Sequence, residues 1–266
     1  MTDRVQVSPT ASLAYETRGA GLSLVALHGA YSARAEVREF VEPMIGARSV
    51  RRIYPDLPGH GESRPSNGVR TPDDVLDLLD RMLEAEGASS RFLLLGHSYG
   101  GHIARAFAAR HPSRVAGLAL LCPVVGGKSQ VPPASVVRDD GVSGELSPPE
   151  REAYEGYFVV RTTETLDRFR RCVVPATGDV DEETLERAIE TGPHAIDPDS
   201  VGIDAPVLIV AGHHDHWVGW ERQQALGARY ARATVTTVAD AGHALPHERP
   251  RLVAALLADW LDQALV

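Results

Sequence analysis

The stretch Phe92-Leu93-Leu94-Leu95-Gly96-His97-Ser98-Tyr99-Gly100-Gly101 joins a short apolar run to a serine set among glycines. An apolar run of this length reads as a buried strand. The residues from Tyr99 to Arg110, ending before Pro112, read as a helix. Ser98 is therefore expected on a tight strand-to-helix turn, where the glycines allow close backbone packing and the hydroxyl is thrust out at the strand's carboxyl end. A Gly-x-Ser-x-Gly match alone is a weak signal; the strand before it and the helix after it give it weight.

The same alternation extends on both sides. Leu24–Leu27, Arg52–Tyr54 and Leu118–Leu121 read as further buried strands, and the pattern of short apolar runs joined by amphipathic stretches is that of a parallel sheet wrapped by helices. Thr71-Pro72-Asp73-Asp74 is a helix start, with a threonine cap, proline in the first turn and acids facing the macrodipole; that helix is expected to stop at Gly87. From about Gly126 to Asp204 the alternation breaks, with Pro132-Pro133 and Pro148-Pro149 at the entry and Pro193 and Pro198 at the exit. Within it Ser147-Pro-Pro-Glu150 has capping-box spacing, and further helices are expected near Thr163 and from Asp181 to Gly192. The alternation resumes with a strand at Pro206–Val210, a helix near Glu221 to Arg229, a strand at Thr234–Val238 and a last helix from Arg249 to Ala264. Val253, Leu256, Leu257, Trp260 and Ala264 are expected on its inner face. The reading is one catalytic core, 1–125 with 205–266, interrupted by a helical insertion over 126–204.

Composition removes several functions. The chain has 266 residues, 27 basic against 36 acidic, and a net charge of −9, so nothing in it attracts a phosphate backbone or an anionic membrane surface; nucleic acid and membrane are not expected partners. Lys128 is the only lysine, which leaves little material for Schiff-base or P-loop chemistry. Two cysteines, Cys122 and Cys172, make no disulfide framework. With no basic-then-apolar start and no apolar run near the roughly 20 residues that span a bilayer, a cytoplasmic location is expected.

A serine hydroxyl needs a base to take its proton and an acid to orient that base. Two later strand ends carry the required side chains: Gly212-His213-His214-Asp215 and Ala241-Gly242-His243. Asp240 is a second candidate for the acid. The adjacent histidines His213, His214 and His216 point in alternate directions on an extended chain and do not suit one metal ion, so no metal and no cofactor are expected.

With these residues in place the chain resembles the α/β-hydrolases of the capped type over nearly its whole length. The resemblance implies an eight-stranded, mostly parallel sheet with a helical cap inserted after strand 6. It also implies Ser98 as nucleophile, Asp215 as acid and His243 as base, in the family's chain order. His28-Gly29-Ala30 is similar to the family's His-Gly turn, which implies Ala30 N–H and Tyr99 N–H as the oxyanion hole. Asp56-Leu57-Pro58-Gly59-His60-Gly61-Glu62-Ser63 resembles the loop after the fourth strand and reads as a structural turn beside the pocket. Serine at the elbow argues against the dehalogenases and epoxide hydrolases of similar fold, and the absence of lysine after His243 against the hydroxynitrile lyases.

The implied activity is hydrolysis of an acyl bond (ester, thioester, lactone or amide) in a small-molecule substrate. C–C bond hydrolysis or acyl transfer on the same residues, and a non-catalytic binding protein on this fold, are the alternatives. Apolar residues of the insertion, Val136, Val137, Phe158–Val160, Phe169, Val173 and Val174 among them, suggest a largely apolar pocket, for which Tyr31, Tyr157, Phe158 and Trp217 are the candidate substrate-binding residues. Arg161, Arg168, Arg170 and Arg171 read as a solvated helix face rather than a carboxylate site.

Overall fold

Strands apolar on both faces need helices on both sides. The computed structural model describes residues 3–8, 11–46, 48–63, 68–88, 90–126, 131–178, 180–190 and 194–266. Lys128 and the expected helix stop at Gly192 lie outside the described residues.

The main sheet comprises β1 (Asp3–Ser8), β2 (Ala11–Arg18), β3 (Leu22–Leu27), β4 (Val50–Pro55), β5 (Phe92–His97), β6 (Val115–Leu121), β7 (Val207–Gly212) and β8 (Ala233–Val238). They lie in the order β1-β2-β4-β3-β5-β6-β7-β8. β2 runs antiparallel to β1 and β4, and every other neighbouring pair is parallel. This is the mostly parallel eight-stranded sheet that the resemblance implied.

The pleat sorts β5 between two cores. Leu93 and Leu95 join the cluster of α1 (Arg34–Ile45) and α9 (Pro250–Ala264), while Phe92 and Leu94 join that of α2 (Pro72–Ala85) and α3 (Tyr99–Arg110). Thr71 begins α2 as expected, with the Asp74 carboxylate accepting the Thr71 N–H at 2.7 Å; the chain leaves it through Gly87 at φ +63°. On α9, Val253, Leu257, Trp260 and Ala264 are buried as expected. Leu256 is only partly buried and Leu261 is buried as well: at 3.6 residues per turn the two lie on opposite edges of the stripe of Val253, Leu257, Trp260 and Ala264, and the Leu261 edge is the one the core covers.

Between β6 and β7 the chain forms α4 (Pro148–Tyr157), α5 (Thr163–Arg168), a wider π-type turn at Phe169–Val173 and α6 (Glu182–Glu190). Arg138–Asp139 and Val160–Arg161 pair as a two-residue parallel ladder. This segment packs in two places. Tyr154, Tyr157, Phe158, Leu166 and Phe169 form their own cluster with Ala244 of the core, whereas Leu185 and Ala188 of α6 join the cluster of α2 and α3. The chain then passes through α7 (Glu221–Leu226) and α8 (Leu245–Glu248) before α9. Among the described residues no helix is long and apolar enough to cross a membrane.

Candidate active site

Ser98 sits between β5 and α3 at φ 54° and ψ −119°, a conformation that costs a non-glycine residue on the order of 1–3 kcal/mol. Its neighbours make the turn possible. A Cβ on Gly96 would lie 2.3 Å from the Gly100 carbonyl oxygen, and one on Gly100 would lie 2.4 Å from that of Leu27, so only glycine fits either position. The turn is tied down by the Ser98 N–H donating to the Leu121 carbonyl at 3.0 Å and the Val124 N–H donating to the Ser98 carbonyl at 3.0 Å.

The loops after β7 and β8 bring the other two residues to it. The Ser98 Oγ and His243 Nε2 are 2.9 Å apart, and His243 Nδ1 lies 2.8 Å from Asp215 Oδ2. The other oxygen of Asp215 accepts the N–H groups of Trp217 and Val218, both at 3.0 Å. Asp215 is fully buried; burial pushes its carboxyl up, but the His243 ring and these hydrogen bonds outweigh it and hold the group below the usual carboxylate range. Asp240 is exposed and pairs with Arg249 at 3.4 Å, away from this chain of bonds.

Three surrounding features fix His243. The Trp217 ring stacks on the imidazole, with centroids 5.2 Å apart and planes 18° from parallel. His97 Nε2 donates to the His243 carbonyl at 3.1 Å, and burial first of all keeps the His97 ring neutral, with a pKa of about 4. The Gly242 N–H donates to the Glu248 carboxylate at 2.6 Å.

The turn after β3 faces Ser98. His28 Nε2 accepts the Leu57 N–H at 2.8 Å, leaving its Nδ1–H for the Gly29 carbonyl at 2.7 Å, and His60 Nε2 accepts the Tyr31 N–H at 3.3 Å. The loop from Asp56 to Ser63 thus supports the Gly29–Tyr31 turn. Among the described residues neither the Ala30 N–H nor the Tyr99 N–H donates a hydrogen bond, the latter being one of the unsatisfied donors that begin any helix.

Ser98 and His243 open on a cavity of about 490 Å³ walled by the β3 turn, α1, α4, the π-type turn and Trp217. Tyr31, Tyr157 and Trp217 line it, as do Phe169, Val173 and Val174. Phe158 does not, contrary to expectation: it is wholly buried against Tyr154 and Phe169, because α4 ends at Tyr157 and the next side chain turns into the segment's own aromatic cluster. Val136, Val137, Val159 and Val160 also face elsewhere. None of the four arginines considered lines the cavity; Arg161 pairs with Asp139 and Glu155, and Arg170 with Glu145. The histidines beside Asp215 diverge, His213 packing on Trp220, His214 meeting the Ser135 hydroxyl and His216 donating to the Gly156 carbonyl. Cys122 is buried in the core, its thiol directed at the Gly242 carbonyl, and burial pushes that thiol up.

One wall group has no warning in the sequence. Glu36, on α1, is buried in the cavity wall, where Oε1 accepts the Tyr157 hydroxyl and the His247 Nε2–H, both at 3.0 Å, and Oε2 accepts the Ser32 hydroxyl. Ser32 is four residues before it, but Tyr157 and His247 are distant in the chain, so no local spacing marks the cluster.

The model of the alpha/beta hydrolase family matches residues 24–256. The chain belongs to the alpha/beta hydrolase family. This hydrolase is 27% identical over 261 residues to monoacylglycerol lipase ABHD6 of Bos taurus, covering 90% of this chain and 75% of that protein. It is 26% identical over 251 residues to the pyrethroid hydrolase of Sphingobium wenxiniae, covering 90% and 87%. An alpha/beta superfamily hydrolase from Oenococcus oeni PSU-1 superposes with a TM-score of 0.88 over 99% of this chain and 100% of its own, at 22% identity, a likeness of fold.

Proposed function

We propose that this alpha/beta hydrolase cleaves an acyl bond, an ester foremost, of a small to medium, largely apolar molecule through Ser98, His243 and Asp215. The observation that carries the reading is the unbroken pair of hydrogen bonds from Ser98 Oγ to His243 and from His243 to Asp215, opening on a mostly apolar cavity. His243 takes the hydroxyl proton as Ser98 Oγ attacks the acyl carbonyl. Asp215 holds the imidazole in the tautomer that leaves Nε2 free to accept and steadies its positive charge. The Ala30 and Tyr99 amides receive the oxyanion. His243 then returns its proton to the leaving alcohol, and water, deprotonated by the same ring, releases the acyl group from Ser98. No cofactor enters this chemistry.

The relatives' names support the ester: a monoacylglycerol lipase and a pyrethroid hydrolase both span most of this chain. We assign 1–125 and 205–266 to the catalytic core and 126–204 to a cap, in which α4 and the π-type turn roof the cavity and α6 anchors the segment to α2. Two free, buried cysteines agree with a cytoplasmic location. The test is steady-state hydrolysis of p-nitrophenyl butanoate. Ser98→Ala and His243→Ala should each lower kcat by on the order of a thousandfold or more, and undiminished turnover in either variant overturns the assignment.

A further inference from the structure

Among the described residues, the acidic and basic side chains that line the cavity Ser98 faces are, apart from its histidines, all carboxylates. Glu36 lies in its wall, Glu150 and Glu152 on the α4 side, and among the described residues no lysine or arginine lines it. An anionic substrate group would meet the Glu150 and Glu152 carboxylates there, while Glu36 is already paired with the His247 ring.

Glu36 differs from the other two in being buried within an otherwise apolar wall. A carboxylate offers about four acceptor positions. Three are filled, by Tyr157 and His247 on Oε1 and by Ser32 on Oε2, so one position on Oε2 is left. Burial pushes the Glu36 carboxyl up, but His247 more than compensates and holds it at about 2, so the group accepts and does not donate at neutral pH. A buried acceptor position left empty by an apolar substrate loses its hydration without return, whereas a substrate donor satisfies it; hydrogen bonds to charged groups are the stronger kind.

We propose that Glu36 is a specificity residue, taking a hydrogen bond from a hydroxyl group carried by the ester substrate, so that the site selects uncharged, hydroxylated esters over hydrocarbon ones and disfavours anionic ones. This rests on the Ser98 reading above and names the substrate class of the same site. The donor O–H of the substrate points to Oε2, while Tyr157 and His247 hold Oε1 and fix the carboxylate plane.

The experiment compares kcat/KM for 2-hydroxyethyl butanoate, propyl 3-hydroxybutanoate, propyl butanoate and monopropyl succinate. One of the two hydroxylated esters should exceed propyl butanoate by about tenfold or more, and the succinate should fall below it. Glu36→Gln should bring the ratio of hydroxylated to plain ester toward one, and Ser32→Ala, which frees a second acceptor position, should raise it. Equal kcat/KM for plain and both hydroxylated esters in the native protein, or a ratio unmoved in both variants, overturns the proposal while leaving the Ser98 reading intact. Turnover of none of the esters, with Ser98 inert to a phosphonate, overturns that reading instead.

Discussion

The Glu248 carboxylate accepts the Gly242 N–H at 2.6 Å, one residue before His243, and its other oxygen accepts the Val159 N–H at 2.7 Å and the Val160 N–H at 3.1 Å. One buried side chain thus ties the histidine loop to the segment that roofs the cavity. A Cβ on Gly242 would lie 2.8 Å from a Val159 methyl, so the Val159 side chain also packs directly on the Gly242 backbone.

Removing this tie should be costly. Glu248→Ala leaves two buried donors and one part-buried donor unpaired, at about 1–3 kcal/mol each before relaxation and water entry, so a net loss of roughly 2–4 kcal/mol is expected in urea unfolding. Glu248→Gln keeps an acceptor and should lose less. Equal stability of Glu248→Ala and the native protein would show that the loops hold each other without the carboxylate.

The glycines of the elbow make a sharper contrast. Gly100→Ala must displace the Leu27 carbonyl from 2.4 Å and should abolish folding or cost more than about 3 kcal/mol. Gly156→Ala meets nothing within 4 Å on α4 and should be neutral or gain up to about 1 kcal/mol. Circular-dichroism melts of the two variants separate these outcomes; a benign Gly100→Ala contradicts the packing described.

A pH dependence of stability follows from Glu36 and His247. Burial pulls the His247 ring down, but Cys172 and the Glu36 carboxylate beside it prevail and push it up to about 9. A base whose folded value is raised contributes stability fully below its unfolded value near 6.5, and loses it as pH climbs through about 9. Glu36, held at about 2, contributes above its unfolded value near 4.5 and loses it as pH falls toward 2. Unfolding free energy should therefore decline from pH 6.5 to 9 by on the order of 2–3 kcal/mol, and His247→Gln should flatten that limb. An identical slope in the variant would show that the pair does not govern it.

For the acid, the burial of Asp215 and the exposure of Asp240 give opposite expectations. Asp215→Asn should lower kcat by about a hundredfold or more, and Asp240→Asn should leave it within about twofold. The reverse order in steady-state kinetics would move the acid to Asp240.

The fold was legible because its signals are local. Phe92–Leu95 is apolar at every position, Thr71-Pro72 and Ser147-Pro-Pro-Glu150 begin helices where the cap chemistry says they do, and Ser98, Asp215 and His243 each follow a strand in order. What the sequence concealed depends on distant packing. Phe158 looked like pocket lining because composition does not say which way a side chain turns after α4 ends. Glu36, His247 and Glu248 are charged residues in helices, the pattern of a solvated face, and only the roofing segment folding over α1 and α8 buries them. Leu256 and Leu261 lie on opposite edges of one helical stripe, and only the packing of α9 decides which edge is covered.

The central claim is that Ser98 is made nucleophilic by His243, and covalent labelling reads it directly. Native protein treated with a fluorophosphonate should gain one adduct by intact mass, located on the peptide containing Ser98, while Ser98→Ala gains none and His243→Ala labels at least a hundredfold more slowly. Ester hydrolysis persisting with no adduct at Ser98, or an adduct formed as fast in His243→Ala, would contradict the account.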